Sequence, residues 1–453
     1  MNIIERADSS TIKRHACYPF QEMENLAPAL VIISLLSFSP FKSLLPGPSP
    51  GEYVLIGLLI LAGPQILKMK HSQVPAVFGI GILLLLLLSV STTMNLIEGS
   101  MLRYKTLVFW TLHAGLYLLS YTWLIQNPEK RIPLIIKTLM LLGLLVSLLA
   151  ILQYMIGPQL CSSIMPWGPS WTRWYTRFGF RVYSFFDNPL LAGTILCLLW
   201  PLFLQLVFEG EGPKNQHQVF SRRLVFQRTS KKSSYLHLAL VGTAIILTGS
   251  RSCLLVVILI SCIQVMPHVR VRHIFAISGI VVLIMLVTLF SPAGKRLLPI
   301  FSIDGDSNLN NRVSALESGM EMLAEHPMFG IGPGYFRQAY EQHYKPVNSQ
   351  DDPSSYTLDN LIFQIACEFG IPAALMCIII FFNITATCTG SFKESIVYRQ
   401  LFFSFLSFGI LSLGIALFST PVMWILMILF SIVSAKSLNG SQPQHLLIAH
   451  KCN

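Results

Sequence analysis

The sequence predicts an all-α polytopic membrane protein of about 12 transmembrane helices, with one large extracytoplasmic loop containing an amphipathic helix. Three observations predict it. Hydrophobic residues fill 53% of the 453 positions and charged residues only 12%, whereas a soluble globular protein carries about 25% charged residues. Apolar runs such as 26–45, 53–67 and 74–91 reach or approach the ~20 residues a helix needs to cross a hydrocarbon core. Those runs do not alternate: Ile82 is followed by six leucines, Leu83 to Leu88. A membrane barrel would alternate in ~10-residue strands, while a helix satisfies its own backbone groups in lipid.

In chain order the spans are expected at 26–45, 53–67, 74–91, 106–125, 133–156, 189–208, 235–249, 252–266, 274–290, 360–383, 400–417 and 420–435. The first 24 residues are polar, and no small-residue cleavage site follows the first apolar run, so that run is expected to be a retained helix. Lys and Arg set the orientation. With the N-terminus inside, inner segments hold nineteen of the 32 Lys and Arg. Outer segments hold twelve, five of them in the one long loop, where charge has little weight in orientation. Both termini are therefore expected to be cytoplasmic. The chain divides into a cytoplasmic segment 1–25, N-terminal helices with an aromatic outer loop over 26–180, a core over 181–383 that includes the outer loop 291–359, and C-terminal helices with a cytoplasmic tail over 384–453.

The net charge of +11 fits cytoplasmic loops facing anionic lipid, so no nucleic-acid partner is expected. Nine cysteines show no zinc spacing. Cys197, Cys253, Cys262, Cys367 and Cys377 lie in apolar runs and are expected to be small core residues. Asp304-Gly305-Asp306 reads as a polar turn, and no P-loop, H-E-x-x-H or G-x-S-x-G motif is present. No metal or cofactor is predicted. The outer residues Trp167, Trp171, Arg173, Trp174, Tyr175, Arg177, Phe178 and Arg181 form an interfacial segment of the kind that sits at headgroup level.

Four constellations on the outer side could carry chemistry. Thr248-Gly249-Ser250-Arg251-Ser252 interrupts an apolar stretch. Arg251 is either a snorkelling loop arginine or a fixed cation for phosphate oxygens, which guanidinium geometry suits. Asn311-Arg312 is expected at the start of the amphipathic loop helix 311–324, with Val313, Leu316, Met320 and Leu323 on one face. Arg312 is either a surface residue or an anion ligand reinforced by the helix N-terminus. The helix ends at His326-Pro327, before the turn Gly330-Ile331-Gly332-Pro333-Gly334. Asp359-Asn360 begins the tenth expected span. Asn360, Gln364 and Glu368 share a face there, a polar stripe expected to make interhelical hydrogen bonds. Asp359 is a helix cap, a catalytic carboxylate, or both. Arg181, with Phe185-Phe186-Asp187-Asn188-Pro189, begins the sixth span in an ordinary Asn-Pro turn. His343 is an isolated outer-loop histidine, a candidate acid/base or substrate contact.

Taken in order, these segments resemble the O-antigen ligase-like family, which includes O-antigen and exopolysaccharide polymerases. The resemblance is carried by Arg181 with Asn188-Pro189-Leu190-Leu191-Ala192-Gly193, by Thr248-Gly249-Ser250-Arg251-Ser252, by Arg312 with Glu325 to Phe336, and by Asp359-Asn360 through Glu368, Gly370, Ile371 and Pro372. It covers about 180–375. It implies a metal-independent glycosyltransferase at the outer face of the bacterial cytoplasmic membrane. The donor would be a polyprenyl-pyrophosphate-linked glycan. The acceptor would be lipid A–core for a ligase or another lipid-linked repeat for a polymerase, and polysaccharide-assembly proteins are expected partners. Ligases of the family usually carry His-Asn where this chain has Asp359-Asn360, which favours a polymerase. For such a transfer Arg251 and Arg312 are expected as cations for the leaving pyrophosphate, Asp359 as the base, and Arg181, Asn360, Ser250 and His343 as substrate contacts. The rival class is a lipid-linked oligosaccharide flippase, which would need charges deep in its helices and no 69-residue outer loop.

Overall fold

The computed structural model describes residues 101–157, 181–186, 188–208, 231–266, 307–345, 358–390, 396–414 and 420–441. Among these residues every regular element is helical and no strand is present. The elements are α1 (Met101–Gln126), α2 (Pro128–Ile156), α3 (Pro189–Phe208), α4 (Lys231–Thr248), α5 (Arg251–Val265), α6 (Ser307–Glu325), α7 (Phe336–Ala339), a π-helical turn (Tyr340–Tyr344), α8 (Leu361–Phe369), α9 (Ile371–Gly390), α10 (Ile396–Ser412) and α11 (Thr420–Ser441). The expected spans 26–45, 53–67, 74–91 and 274–290, and residues 158–180 of the aromatic segment expected over 157–188, lie outside the described residues.

Three of these helices are long and apolar enough to cross a membrane: α2, α3 over Pro189–Val207, and α9. Shorter apolar helices are α5, α10 and the Ile425–Ala435 part of α11. They make this an all-helical membrane protein. Three such helices stand among the described residues, where twelve spans are expected of the whole chain.

α2 starts at Asn127-Pro128, where proline at the first helical position loses no intrahelical bond. One face of α2 is buried through Leu139, Leu142, Val146 and Ala150, while Leu141, Leu145, Leu148 and Leu152 are exposed. That apolar exposed stripe has lipid as its natural solvent. α2 meets α3 closely at Gly143, where a Cβ would come within 2.9 Å of the Phe203 ring. α3 is the most enclosed of the three long helices and packs on α2, α4, α5, α10 and α11. α9 is the least enclosed, with Leu375, Ile379 and Phe382 exposed along one side.

The tenth expected span, 360–383, is corrected. The helix breaks at Gly370, which has φ +92°, and the long apolar helix is Ile371–Gly390. A Cβ on Gly370 would lie 2.1 Å from the Met328 carbonyl oxygen, so a close backbone crossing demands glycine there. Cys262 is exposed and Cys377 half-buried, unlike the buried Cys197, Cys253 and Cys367. For the first two the structure corrects the expected core placement, since an apolar run does not say which side of the helix faces lipid.

Candidate functional site

The residues singled out by sequence come together two by two. The first group forms where the ends of α2 and α4 meet the starts of α3 and α5. The α4–α5 turn is built by Thr248, Gly249 and Ser250. Thr248 Oγ1 donates to the Ile245 carbonyl (2.7 Å) and accepts from Ser250 N–H (3.4 Å). Gly249 takes φ +63°, and Ser250 caps α5 by accepting from Cys253 N–H (3.4 Å). Ser250 is thus a capping residue, which leaves Arg251 in the first turn of α5. Gly193 allows α3 to approach this turn: a Cβ there would meet Cys253 Sγ at 2.9 Å and Thr248 Oγ1 at 3.1 Å.

Arg181 lies across the same turn. Its Nε donates to the Thr248 carbonyl (2.7 Å), and the neighbouring Val182 N–H donates to the Leu247 carbonyl (3.3 Å). Burial pushes Arg181 down to about 10, Cys253 opposes that shift, and the Arg251 charge adds to it. The guanidinium remains charged at neutral pH. Two like charges held together favour an anion between or beside them.

Sequence reasoning missed the residue beneath Arg181. Gln153 of α2 is buried. Its Oε1 accepts from Tyr183 N–H (3.1 Å) and Ser184 N–H (2.7 Å), and its Nε2 donates to the Ser184 carbonyl (2.8 Å). Ser184 has φ +57°, a left-handed conformation that costs a non-glycine residue about 1–2 kcal/mol. Its hydroxyl donates to the Val146 carbonyl (2.9 Å). The only signal in the sequence was an amide at the end of an apolar run.

The second group joins α6 to α8. Arg312 Nε lies 2.6 Å from Asp359 Oδ2. Asn360 caps α8 by accepting from Phe363 N–H (3.0 Å). Of the alternatives for Asp359, the cap falls one residue later, on Asn360, and Asp359 faces Arg312. Burial pushes the Asp359 carboxyl above its ordinary value, and Arg312 opposes that shift. Two further corrections concern α6. It begins at Ser307, so Arg312 stands in its second turn and away from the positive helix end. Its packed side is Ala315, Ser318 and Met322 with Gly319, while Val313, Leu316 and Met320 are exposed. The reason is the tight crossing on α8. A Cβ on Gly319 would lie 2.7 Å from the Phe363 ring, and Cys367 Sγ donates to the Gly319 carbonyl (3.2 Å). Small residues make that contact, so Val313, Leu316 and Met320 stay outside it, and of the expected apolar face Leu323 is the part that packs on the core.

Glu368 fastens the other end of the α6–α8 pair. Its Oε2 accepts from Gly334 N–H (2.9 Å) and its Oε1 from Gln364 Nε2 (3.2 Å). Backbone bonds complete the clasp: Ile331 N–H to the Cys367 carbonyl (2.9 Å), Gly332 N–H to the Glu368 carbonyl (3.0 Å), and Ile371 N–H to the Pro327 carbonyl (2.8 Å). Gly330, at φ +66°, comes so close to the Glu368–Phe369 backbone that a Cβ would clash at 2.4 Å. The stripe Asn360, Gln364, Glu368 was expected to bond between membrane helices. It is used instead as a cap, an intrahelical bond and a clasp on the Gly/Pro turn. Burial pushes Glu368 up to about 7, against the lowering influence of the Gly334 and Gln364 hydrogen bonds.

His343 is exposed on the π-helical turn with its ring edge-on to Tyr344, and it shares no described contact with either arginine group. The first group rests on the main apolar core through Val182, Phe186 and Cys253, which also takes in Leu361 and Ile365 of α8, while α6 packs through Ala315 and Met322 into a second cluster with Leu358 and Cys367. Among the described residues no group of three His, Cys, Asp or Glu side chains could hold a metal ion.

No curated protein matches the chain. A family model described as O-antigen ligase matches residues 236–378. The match takes in Arg251, Arg312, His343, Asp359, Asn360 and Glu368 but not Arg181 or Gln153. Over residues 236–378 this chain is therefore similar to the O-antigen ligase family, which suggests membrane glycan processing of the ligase or polymerase type.

Proposed function

We propose that the protein is a glycosyltransferase of the cytoplasmic membrane. It transfers a glycan from polyprenyl pyrophosphate to an acceptor hydroxyl at the outer face, within a scaffold of about twelve spans and a core over 181–383. The observation that carries the proposal is the Arg312–Asp359 pair, which lies inside the segment matching the O-antigen ligase family. In the transfer step the acceptor oxygen bonds to the anomeric carbon. The bond from that carbon to the pyrophosphate oxygen breaks, and polyprenyl pyrophosphate leaves with the electron pair. The acceptor proton passes to the Asp359 carboxylate. A carboxyl raised by burial is a better base than one at its ordinary value. Arg251 and Arg181 neutralise the charge growing on the pyrophosphate. Preorganised donors of this kind are worth ~3 kcal/mol each in the transition state. Arg312 orients Asp359 and supplies a further cation. Asp359-Asn360, where ligases usually carry His-Asn, favours polymerisation on a second lipid-linked repeat over transfer to lipid A–core.

The test is polysaccharide chain length on a gel. Cells relying on Arg251→Lys or Asp359→Asn should yield little or no long polymer at wild-type protein level. Lysine keeps the charge but loses the planar fork. Normal polymer from both variants would remove these residues from the site.

A further inference from the structure

Arg181 carries part of the proposed pyrophosphate site, yet its own backbone is held by α2, outside the matched segment 236–378. The stretch 181–184 is pinned on two sides. Arg181 and Val182 bond to the last carbonyls of α4, while the next two residues, Tyr183 and Ser184, bond to Gln153 of α2. The amide group of Gln153 both accepts two N–H bonds and donates to a carbonyl. Glutamate would keep the acceptors but turn a lone pair toward the Ser184 carbonyl. Methionine has similar length and would leave all three backbone groups without this partner, a serious cost where the site is buried. Without the grip, the left-handed Ser184 has less to hold it in place.

We propose that Gln153 is a positioning residue for the pyrophosphate site: by locking the Tyr183–Ser184 turn it fixes where the Arg181 guanidinium stands beside Arg251. This rests on the reading of Arg181 and Arg251 as pyrophosphate ligands. The Nε–H of Arg181 is committed to Thr248, and its terminal nitrogens engage no described partner. Where they point is fixed jointly by that Thr248 bond and by the backbone that Gln153 holds.

The experiment is a double-mutant cycle read by calorimetric binding of inorganic pyrophosphate to the purified full-length protein in detergent. R181Q should weaken binding about tenfold or more, the loss expected of one charge-assisted hydrogen bond. Q153M should weaken it in the same direction, and Q153M with R181Q together should bind no more weakly than R181Q alone, because the two changes remove one contact. Wild-type binding by Q153M, or effects that multiply in the double variant, would overturn the positioning role while leaving Arg181 a ligand. Undiminished binding by R181Q, or no binding by the wild type, would overturn the pyrophosphate reading and this inference with it. Thermal unfolding checks that each variant is folded. Should Q153M fail to fold, the same cycle with Q153E decides: weakened, non-additive binding supports the role, and wild-type binding overturns it.

Discussion

Asp359 and Glu368 are two carboxyls at opposite ends of one nine-residue helix, and their surroundings suit them to different work. Asp359 is half-buried beside Arg312. Glu368 is buried with only amide donors on its oxygens. The Gln364 Oε1 beside it is buried with no hydrogen-bond partner. The stability sign follows from the raised Glu368 value. A carboxyl at about 7 in the folded protein and near its ordinary value when unfolded holds its proton more tightly in the fold. Its contribution is therefore most favourable below the unfolded pKa and is lost as pH rises through about 7. Glu368→Gln removes the buried charge and keeps an acceptor for Gly334 N–H, and its amide can donate to Gln364 Oε1 once the Gln364 amide, which now donates through Nε2, turns over. It should raise Tm at pH 8 by several degrees and leave it nearly unchanged at pH 5, measured by thermal unfolding of the full-length protein. Equal Tm gain at both pH values would show that Glu368 is not titrating. At this scale the sequence made the residues visible but not their partners. Asp359 and Asn360 are both good capping types in adjacent positions, and only the backbone decides which one turns inward to cap.

Among the elements, the crossing of α6, the Gly/Pro turn and α8 is the most constrained. Gly370→Ala places a Cβ against the Met328 carbonyl and forces an alanine to φ +92°. The strain alone costs about 1–2 kcal/mol, and the clash adds to it. Gly157→Ala shares only the strain, since nothing lies within 4 Å of its Cβ. Gly370→Ala should therefore lower Tm by clearly more than Gly157→Ala, and should expose the 327–334 turn to protease where Gly157→Ala does not. The existence of α6 and its end before His326-Pro327 were legible, because proline and glycine punctuate the chain. Its buried face was not. Val313, Leu316 and Met320 form the better apolar stripe, but a backbone crossing at Gly319 selects small residues over large ones. The break at Gly370 was also hidden, because Ile365-Ala366-Cys367 and the residues after Pro372 read as one apolar run.

Among the described residues, the spans expected at 106–125, 133–156, 189–208, 235–249, 252–266, 400–417 and 420–435 fall on α1 to α5, α10 and α11, and α2, α4, α5, α10 and α11 pack on the enclosed α3. Orientation rests on Lys and Arg distribution alone. In a background freed of native cysteines, Gln342→Cys in the long loop should react with a membrane-impermeant thiol reagent added to intact cells. Lys232→Cys at the start of α4 should react only after the cells are opened. The reverse pattern would place the arginine groups on the wrong side for a lipid-linked glycan already carried across the membrane. The central claim is that Arg181, Arg251, Arg312 and Asp359 serve one glycan transfer. It is tested most directly by giving purified full-length protein a polyprenyl-pyrophosphate-linked oligosaccharide and measuring released polyprenyl pyrophosphate against pH. The wild type should release it, with activity falling as pH drops through a carboxyl pKa above the ordinary aspartate value. Asp359→Asn should release at least a hundredfold less, the scale of general-base catalysis. Release by Asp359→Asn at the wild-type rate and with the wild-type pH profile would contradict the claim.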